Sequence, residues 1–140
     1  GGVYWVVMMT FGNVLADVSF MDTLDGRYLV TYRVTVAAVY SLSVESGGRH
    51  AHGSPFSVKI NPDVTSPARS VLTGPGLTLA TAGEPAMFNI LARDSFSNLQ
   101  SYDPIVGRDW FSVDMTGPTT AVASTRGYEN ATFRATHLLT

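Results

Sequence analysis

The sequence has 140 residues, of which 45% are hydrophobic and 14% charged, and its formal net charge is −2. This length suits one ordinary domain or parts of two, and the apolar fraction is enough for a packed core. A charge this close to zero provides no basic surface for nucleic acid or an anionic membrane, and the longest apolar stretch, residues 3–9, is too short to span a bilayer. Without cysteine there is no disulfide, thiolate metal site or cysteine nucleophile.

Apolar and polar residues alternate in several short segments, a pattern typical of half-buried β-strands. The clearest segment follows the turn at Asp25-Gly26, another stops at Gly47-Gly48, and a third stops at Pro62, which has no N–H to donate to a neighbouring strand. No segment has the 3.6-residue apolar period of an amphipathic helix. We therefore predict an all-β sandwich, with strands within residues 28–36, 40–45, 56–61, 88–92 and 111–115.

A proline-bearing segment divides the sequence into two parts that are each short for a sandwich of roughly 100 residues. We expect a stiff linker at residues 63–68, between a first part at 1–62 and a second part at 69–140. Shifting the sequence by 105 positions places Trp5 on Trp110, Gly12 on Gly117 and Tyr28 on Phe133. A repeat of this size predicts sandwiches in tandem, with roughly one and a third periods in this chain.

Several motifs follow one another in a characteristic order and spacing. They are DGRYLVTY at 25–32, AVYSLSV at 38–44, GSPFSV at 53–58, GPGL at 74–77, AGEPAMFNI at 82–90, RD at 93–94 and VDMTGP at 113–118. The first three resemble the second half of a filamin-type immunoglobulin-like repeat, and the others resemble the first half of the next one. The resemblance implies an immunoglobulin-like β-sandwich. Ala38, His52 and the segment ENATFRA at 129–135 depart from the family pattern. The second copy is therefore the more divergent one.

The resemblance implies that residues 1–62 form strands C to G of one repeat and that residues 69–140 form strands A to E of the next. Each repeat would then be incomplete in this chain. The missing strands would come from other parts of the polypeptide or from a neighbour, or strands A and B would fold back onto the first part as a circular permutant. The prolines of the linker favour repeats in series, and hence the first alternative.

The resemblance also implies a binding mode in which a partner peptide adds as a strand beside strand C, in the groove between strands C and D. Strands C and D correspond to residues 4–10 and 14–20 in the first repeat, and to 110–116 and 119–125 in the second. We expect Val6 and Met8, like their counterparts Phe111, Val113 and Met115, to point inward. The two tryptophans either pack at the end of the sandwich or contact a partner. The candidate partner-binding residues are Tyr4, Trp5, Val6, Met8, Trp110, Ser112 and Asp114.

Other chemistry-bearing residues form weaker patterns. His50 and His52 have a spacing that could bind zinc on one face of a strand, but no third ligand is near them in sequence. No serine stands in a nucleophile setting, and the acidic pairs Asp22/Asp25 and Asp109/Asp114 flank turns, where aspartate bonds the backbone. We therefore predict no catalytic residue, no metal and no cofactor. Asn130 begins an Asn-Ala-Thr sequon, which would carry a glycan only in the secretory pathway.

These observations predict a non-enzymatic structural module of an elongated tandem-repeat protein, acting as a spacer and scaffold. Its partners would be proteins, either as extended peptides or as neighbouring repeats, with no nucleic acid or small-molecule substrate. Any membrane association would involve other parts of the parent protein. The scaffold could belong to the cytoskeleton or a cilium. The alternatives are an extracellular cell-surface protein of the gamete type, with a role in cell adhesion, and an accessory domain of a larger enzyme.

Overall fold

The chain divides into two compact units, unit 1 (residues 1–61) and unit 2 (residues 62–140). In the computed structural model, residues 3–101, 109, 111–117, 121–122, 124–127 and 132–138 are described. Nearly all regular structure in these residues is strand, apart from one 3-10 turn at Pro75–Leu77. The strands are β1 Trp5–Phe11, β2 Val14–Leu15, β3 Asp17–Asp22, β4 Tyr28–Arg33, β5 Val39–Ser46, β6 Arg49–His50, β7 Phe56–Lys59, β8 Val71–Thr73, β9 Pro85–Leu91, β10 Asp114–Met115, β11 Ala121–Val122, β12 Ser124–Gly127 and β13 Thr132–Leu138.

Unit 1 contains one larger sheet and one separate hairpin. In the larger sheet the strands lie in the order β2-β1-β5-β6, and β7 also pairs with β5. β3 and β4 form a two-stranded antiparallel sheet of their own. The buried side chains of the unit are Met9 on β1 and Tyr40 on β5. The Tyr40 hydroxyl donates a hydrogen bond to the Val36 carbonyl at 3.0 Å, which satisfies its polar end.

Unit 2 is organised around β9, which has a neighbour on both sides. Its sheet has the order β12-β13-β9-β8, and a second, short sheet pairs β10 with β11. The buried core of the unit consists of Phe88 and Ile90 of β9 and of Ala92, which follows it, with Phe111 and Val113 packed against them. Alternation along β9 directs Phe88 and Ile90 to the same face, so this one strand supplies most of the buried apolar surface.

The turn at Gly74 and Gly76 lies directly against the backbone of β9. A Cβ atom on Gly76 would lie 2.6 Å from the Met87 carbonyl oxygen, and one on Gly74 would lie 2.9 Å from the Phe88 Cα. Both distances are shorter than van der Waals contact. Glycine is therefore required here by the close approach of two backbone segments, which gives the GPGL motif a structural cause.

The all-β, immunoglobulin-like fold class is confirmed, with some differences in the extent of strands. The predicted strand at 28–36 ends at Arg33, and within 111–115 only Asp114 and Met115 pair as a strand. The segment 14–20 is not one strand, because Val14 and Leu15 pair with β1 whereas the residues from Asp17 onward pair with β4. The chain changes sheets at Ala16, where the sequence has no glycine or proline to indicate a break.

The segment predicted to be a linker, residues 63–68, hydrogen-bonds to the loop that follows β9. The Ser66 N–H donates to the Arg93 carbonyl at 2.7 Å, and Thr65 forms a β-bridge with Asp94. The Gln100 Nε2 donates to the Asp63 carbonyl at 2.6 Å. This segment is therefore held by hydrogen bonds within unit 2.

The two units contain the same hairpin in the same register. In unit 1, Asp22 of β3 pairs with Tyr28 of β4. In unit 2, Gly127 of β12 pairs with Phe133 of β13. Both residues of the second pair lie 105 positions after those of the first, which is the shift found by superposing the sequence on itself. The internal repeat thus extends to backbone pairing.

Candidate functional site: the free edge of β1

Strand β1 lies near the edge of its sheet, and only its end is covered there. β5 pairs with β1 from Trp5 to Thr10 on one side. On the other side, β2 pairs only with Thr10 and Phe11, and the Ala16 N–H donates to the Met9 carbonyl at 3.0 Å. Within the described residues, no strand pairs with this side of β1 between Trp5 and Met8. The change of sheet at Ala16 is what leaves this edge free.

The backbone groups of Trp5 and Val7 point toward the free edge. Hydrogen-bonding direction alternates along an antiparallel strand, so every second residue of β1 bonds to β5. The Met9 carbonyl bonds away from β5, and the Val44 carbonyl, opposite Val7, bonds the Ala51 N–H on the far side of β5. Val7 and Trp5 share this parity with Met9. Their N–H and C=O groups are therefore available to an added strand.

The side chains of β1 that point inward are not the predicted ones but those at the alternate positions. Met9 is buried and Val7 half-buried, whereas Val6 and Met8 are 47% and 49% exposed. The prediction that Val6 and Met8 point inward is therefore wrong. The run from Val6 to Met9 is apolar at every position, so alternation along it cannot indicate which face is buried. Val6 and Met8 instead form an apolar surface beside the free edge.

The other candidate residues of the first repeat also reach the surface. Tyr4 is 83% exposed and lies just before β1, and Trp5 is 38% exposed at its first position. The first repeat therefore brings together four candidates, Tyr4, Trp5, Val6 and Met8, along one strand. The free edge and this exposed apolar row are parts of the same segment.

The candidates of the second repeat are only partly described. Ser112 and Asp114 are exposed, whereas Phe111, Val113 and Met115 are half-buried. The predicted inward orientation is confirmed for Phe111 and Val113, which pack against the unit 2 core. Trp110 and the sequon residue Asn130 lie outside the described residues, so the calls on them stay predictions.

His50 belongs to a polar cluster on the rim of the unit 1 sheet. Its Nδ1 lies 3.4 Å from Glu45 Oε1 and 3.2 Å from Ser54 Oγ. The Ser43 hydroxyl donates to the same carboxylate oxygen at 2.8 Å. His52 is in the turn after β6 rather than on the strand, so the two histidines do not share a strand face as predicted. Acid and hydroxyls all face one imidazole nitrogen, which is not the arrangement of a nucleophilic triad.

Asp94 is a buried carboxylate, and in the sequence it belongs only to the family's Arg-Asp motif. It accepts hydrogen bonds from the backbone N–H groups of Asp63, Phe96 and Asn98, at 3.0, 2.9 and 2.8 Å, and from Asn98 Nδ2 at 2.8 Å. Burial raises the pKa of this carboxyl, but the bonds from Asn98, Asp63 and Phe96 together lower the pKa below its usual value. Hydrogen bonds from N–H groups two and four residues later are typical of a turn that an aspartate side chain stabilises. Asp94 therefore organises a loop.

The first acidic pair, Asp22 and Asp25, flanks a turn, as predicted. The Asp25 carboxylate accepts hydrogen bonds from the Thr23 hydroxyl and the Arg27 N–H, and the hydroxyl in particular lowers the pKa of Asp25. The Asp22 carboxylate accepts the Leu24 N–H at 2.8 Å. In the second pair, Asp109 accepts the hydroxyl of the distant Thr65 at 2.5 Å, and Asp114 lies in β10. Bonding to local turn donors is therefore found for Asp22 and Asp25.

In the described part of the chain, no group of three or more histidine, cysteine, aspartate or glutamate side chains could hold a metal ion. The same residues include no helix long and apolar enough to cross a membrane.

No protein-family model matches the sequence, but parts of several known proteins are similar to it. It is 35% identical over 79 residues to Filamin-C of Rattus norvegicus and to Filamin-C of Mus musculus, which covers 56% of this chain and 3% of each relative. It is 32% identical over 84 residues to Filamin-A of Drosophila melanogaster, which covers 59% of this chain and 4% of the relative. The chain therefore spans only a small part of the relatives it matches. The resemblance to a filamin-type repeat is confirmed.

Proposed function

We propose that this chain is a non-enzymatic structural and interaction module that binds extended peptides by strand addition along β1. The free edge between Trp5 and Met8 is the observation that carries the proposal. An added strand would bond the outward N–H and C=O groups of Trp5 and Val7, which gives affinity without sequence selection. The exposed side chains of Tyr4, Val6 and Met8 would contact alternate residues of the peptide and supply selectivity.

We propose further that the two units are parts of successive repeats, in which residues 1–62 form strands C to G and residues 69–140 form strands A to E. The common hairpin register, 105 positions apart, supports this assignment. The pairing of β9 with β8 and β13, both in its own unit, supports repeats in series rather than a circular permutant. A series of such sandwiches would set the spacing between binding edges and act as a scaffold.

The test is a proline substitution that blocks one edge and leaves the sheet intact. Proline at Val7 removes an N–H that points to the free edge and takes no part in pairing with β5. Peptides that bind the whole chain would first be selected from a displayed library. Their affinity for Val7→Pro should then fall by about tenfold or more, because both a hydrogen bond and the strand path are lost.

The matched control is Ser57→Pro on β7, at the opposite end of the same sheet. The Ile60 N–H donates to the Ala38 carbonyl, so the backbone groups of Ser57, at the other parity, point away from β5. This variant should retain the selected peptides at the affinity of the natural chain. Equal loss in both variants, or none in Val7→Pro while both remain folded by near-ultraviolet circular dichroism, would refute strand addition at β1.

The compartment of the parent protein is addressed by Asn130. Peptide mass spectrometry of the native protein would detect a glycan on this sequon. A glycan would support the extracellular adhesion alternative, since glycosylation requires the secretory pathway. An unmodified Asn130 would favour the cytoskeletal or ciliary scaffold.

A further inference from the structure

Met8 stands in the exposed apolar row beside the free edge of β1. Its side chain is 49% exposed and lies on the same face of the strand as Tyr4 and Val6. On β5 the residue opposite Met8 is Ser43, whose short side chain donates its hydroxyl hydrogen to Glu45 Oε1 at 2.8 Å. The backbone of Met8 bonds to β5, because bonding direction alternates along the strand. A thioether that is half in water is therefore held at a fixed place beside the proposed peptide path.

The next residue, Met9, has the same side chain in the opposite environment. Alternation along β1 places Met8 and Met9 on opposite faces, and Met9 is 0% exposed. A thioether reacts only with an oxidant that reaches its sulfur, so susceptibility follows exposure. One strand thus carries an accessible methionine and a protected methionine side by side.

The position of Met8 distinguishes it from the other methionines of the chain. Of the five methionines, Met21 on β3 and Met87 on β9 are also exposed, at 55% and 44%. Neither of them belongs to β1, the strand that carries the proposed function. In the second repeat, 105 positions later, the counterpart of Met8 is Val113, which is half-buried and has no sulfur. An oxidisable side chain beside the binding edge is therefore a feature of the first repeat.

We infer that Met8 is an oxidation site that regulates peptide binding at β1, an inference that rests on the proposed function. The oxidant is a peroxide. A lone pair of the Met8 sulfur attacks one oxygen of hydrogen peroxide, the O–O bond breaks and an S–O bond forms. The proton of the transferred oxygen moves to the departing hydroxide, which leaves as water. The sulfur loses two electrons, the peroxide gains two, and the product is methionine sulfoxide.

The sulfoxide weakens peptide binding by making the apolar row polar. Methionine sulfoxide is a polar and chiral side chain, so it no longer offers apolar contact to an added strand. The outward backbone groups of Trp5 and Val7 are unchanged, so the strand path itself remains. Affinity should therefore fall by about tenfold rather than disappear. The change is reversible, because reductases specific for each sulfoxide epimer restore the thioether.

The test uses the whole 140-residue chain and peptides selected on its reduced form. The chain is treated with hydrogen peroxide without denaturant until peptide mass spectrometry finds the sulfoxide at Met8. Met9 should remain unmodified, which shows that the sheet has stayed folded during the reaction. Calorimetric titration should then give an affinity about tenfold lower, and treatment with both reductases and dithiothreitol should restore it.

Two leucine variants assign the effect to one residue. Met8→Leu conserves volume and apolar character but contains no sulfur, so it should bind the peptides within about twofold of the natural affinity. It should also keep that affinity after peroxide. The matched control, Met87→Leu, removes a similarly exposed methionine from unit 2 and should remain as sensitive to peroxide as the natural chain.

The outcomes separate this inference from the proposed function. Unchanged affinity of a chain that carries the sulfoxide at Met8 would overturn the inference, and strand addition would stand if Val7→Pro still weakens binding. An equal loss in oxidised Met8→Leu would also overturn it, since another methionine would then be responsible. So would oxidation of Met9 as fast as Met8. Peptides that bind Val7→Pro as tightly as the natural chain would refute strand addition at β1, and the inference with it.

Discussion

The two units contain one hairpin in two environments. β3–β4 and β12–β13 have the same register, but β13 pairs with β9, whereas no strand among the described residues pairs with the outer side of β4. Unit 2 buries Phe88, Ile90 and Ala92 beside its hairpin, whereas the inner face of the unit 1 hairpin remains exposed. Pairing within a hairpin is thus determined locally, and burial of its face is determined by a strand that the hairpin does not contain.

The largest expected effect comes from truncating Phe88 on β9, the strand that covers the hairpin of unit 2. Phe88→Ala should lower the free energy of unfolding of unit 2 by about 4 kcal/mol, because it leaves a cavity in the core. The matched substitution in unit 1, Phe20→Ala, should cost about 1 kcal/mol, since that ring is already half in water. Urea unfolding followed by residue-resolved NMR would measure both. Equal costs would contradict the difference between the units.

Two neighbouring methionines test the orientation of β1. Met9→Ala removes a buried side chain and should lower the stability of unit 1 by about 3 kcal/mol. Met8→Ala removes an exposed side chain and should change the stability by less than about 0.5 kcal/mol. The comparison holds residue type and strand constant. A larger loss of stability for Met8→Ala than for Met9→Ala would show that Met8 points inward, as the sequence predicts.

Asp94 tests whether the loop after β9 is held electrostatically. Asp94→Asn should lower the stability of unit 2 by about 2 kcal/mol at pH 7, because an amide can accept fewer of the four donated hydrogen bonds. The exposed control, Asp25→Asn, should lower the stability much less. Denaturant midpoints at neutral pH provide the measurement, and similar losses in the two variants would argue against a special role for Asp94.

The pH dependence of this contribution has a defined sign. Folding lowers the pKa of Asp94, so its charge stabilises unit 2 above the unfolded value of about 4. That stabilisation is lost as the pH falls through the folded value. The difference between the natural chain and Asp94→Asn should therefore shrink as the pH is lowered from 7 to about 3. A difference that grows in acid would contradict the direction of the pKa shift.

The sequence predicted much of the backbone and less of the site. Strands with strict alternation, such as those at Tyr28–Arg33 and Val39–Ser46, could be found because their polar positions identify the exposed face. In β1 that signal is missing, since apolar residues occupy both faces, and the orientation of Val6 and Met8 was predicted wrongly. The break at Ala16 was also missed, because a change of sheet there depends on tertiary contacts rather than on a glycine or proline.

The free edges escaped sequence analysis for the same reason. The resemblance implies that strand C receives a peptide, but only the backbone pairing of β1 in the structure shows that β2 pairs with just its last two residues. The edge of β4 could not be found from one hairpin, because its free state is defined by comparison with β13. The turn at Asp94 could be predicted from the sequence, because an aspartate often accepts hydrogen bonds from the N–H groups that follow it, here those of Phe96 and Asn98. Its hydrogen bond from the Asp63 N–H spans 31 positions and depends on the fold.

Amide hydrogen exchange of the unliganded chain is the most direct measurement of these edges. We expect alternating protection along β1 and β4, with fast exchange at Val7, Tyr28 and Val30 and slow exchange at Met8, Leu29 and Thr31. That result would establish both free edges at the level of single residues. Uniform protection along β1 and β4 would show that other strands already cover them, and it would contradict the account.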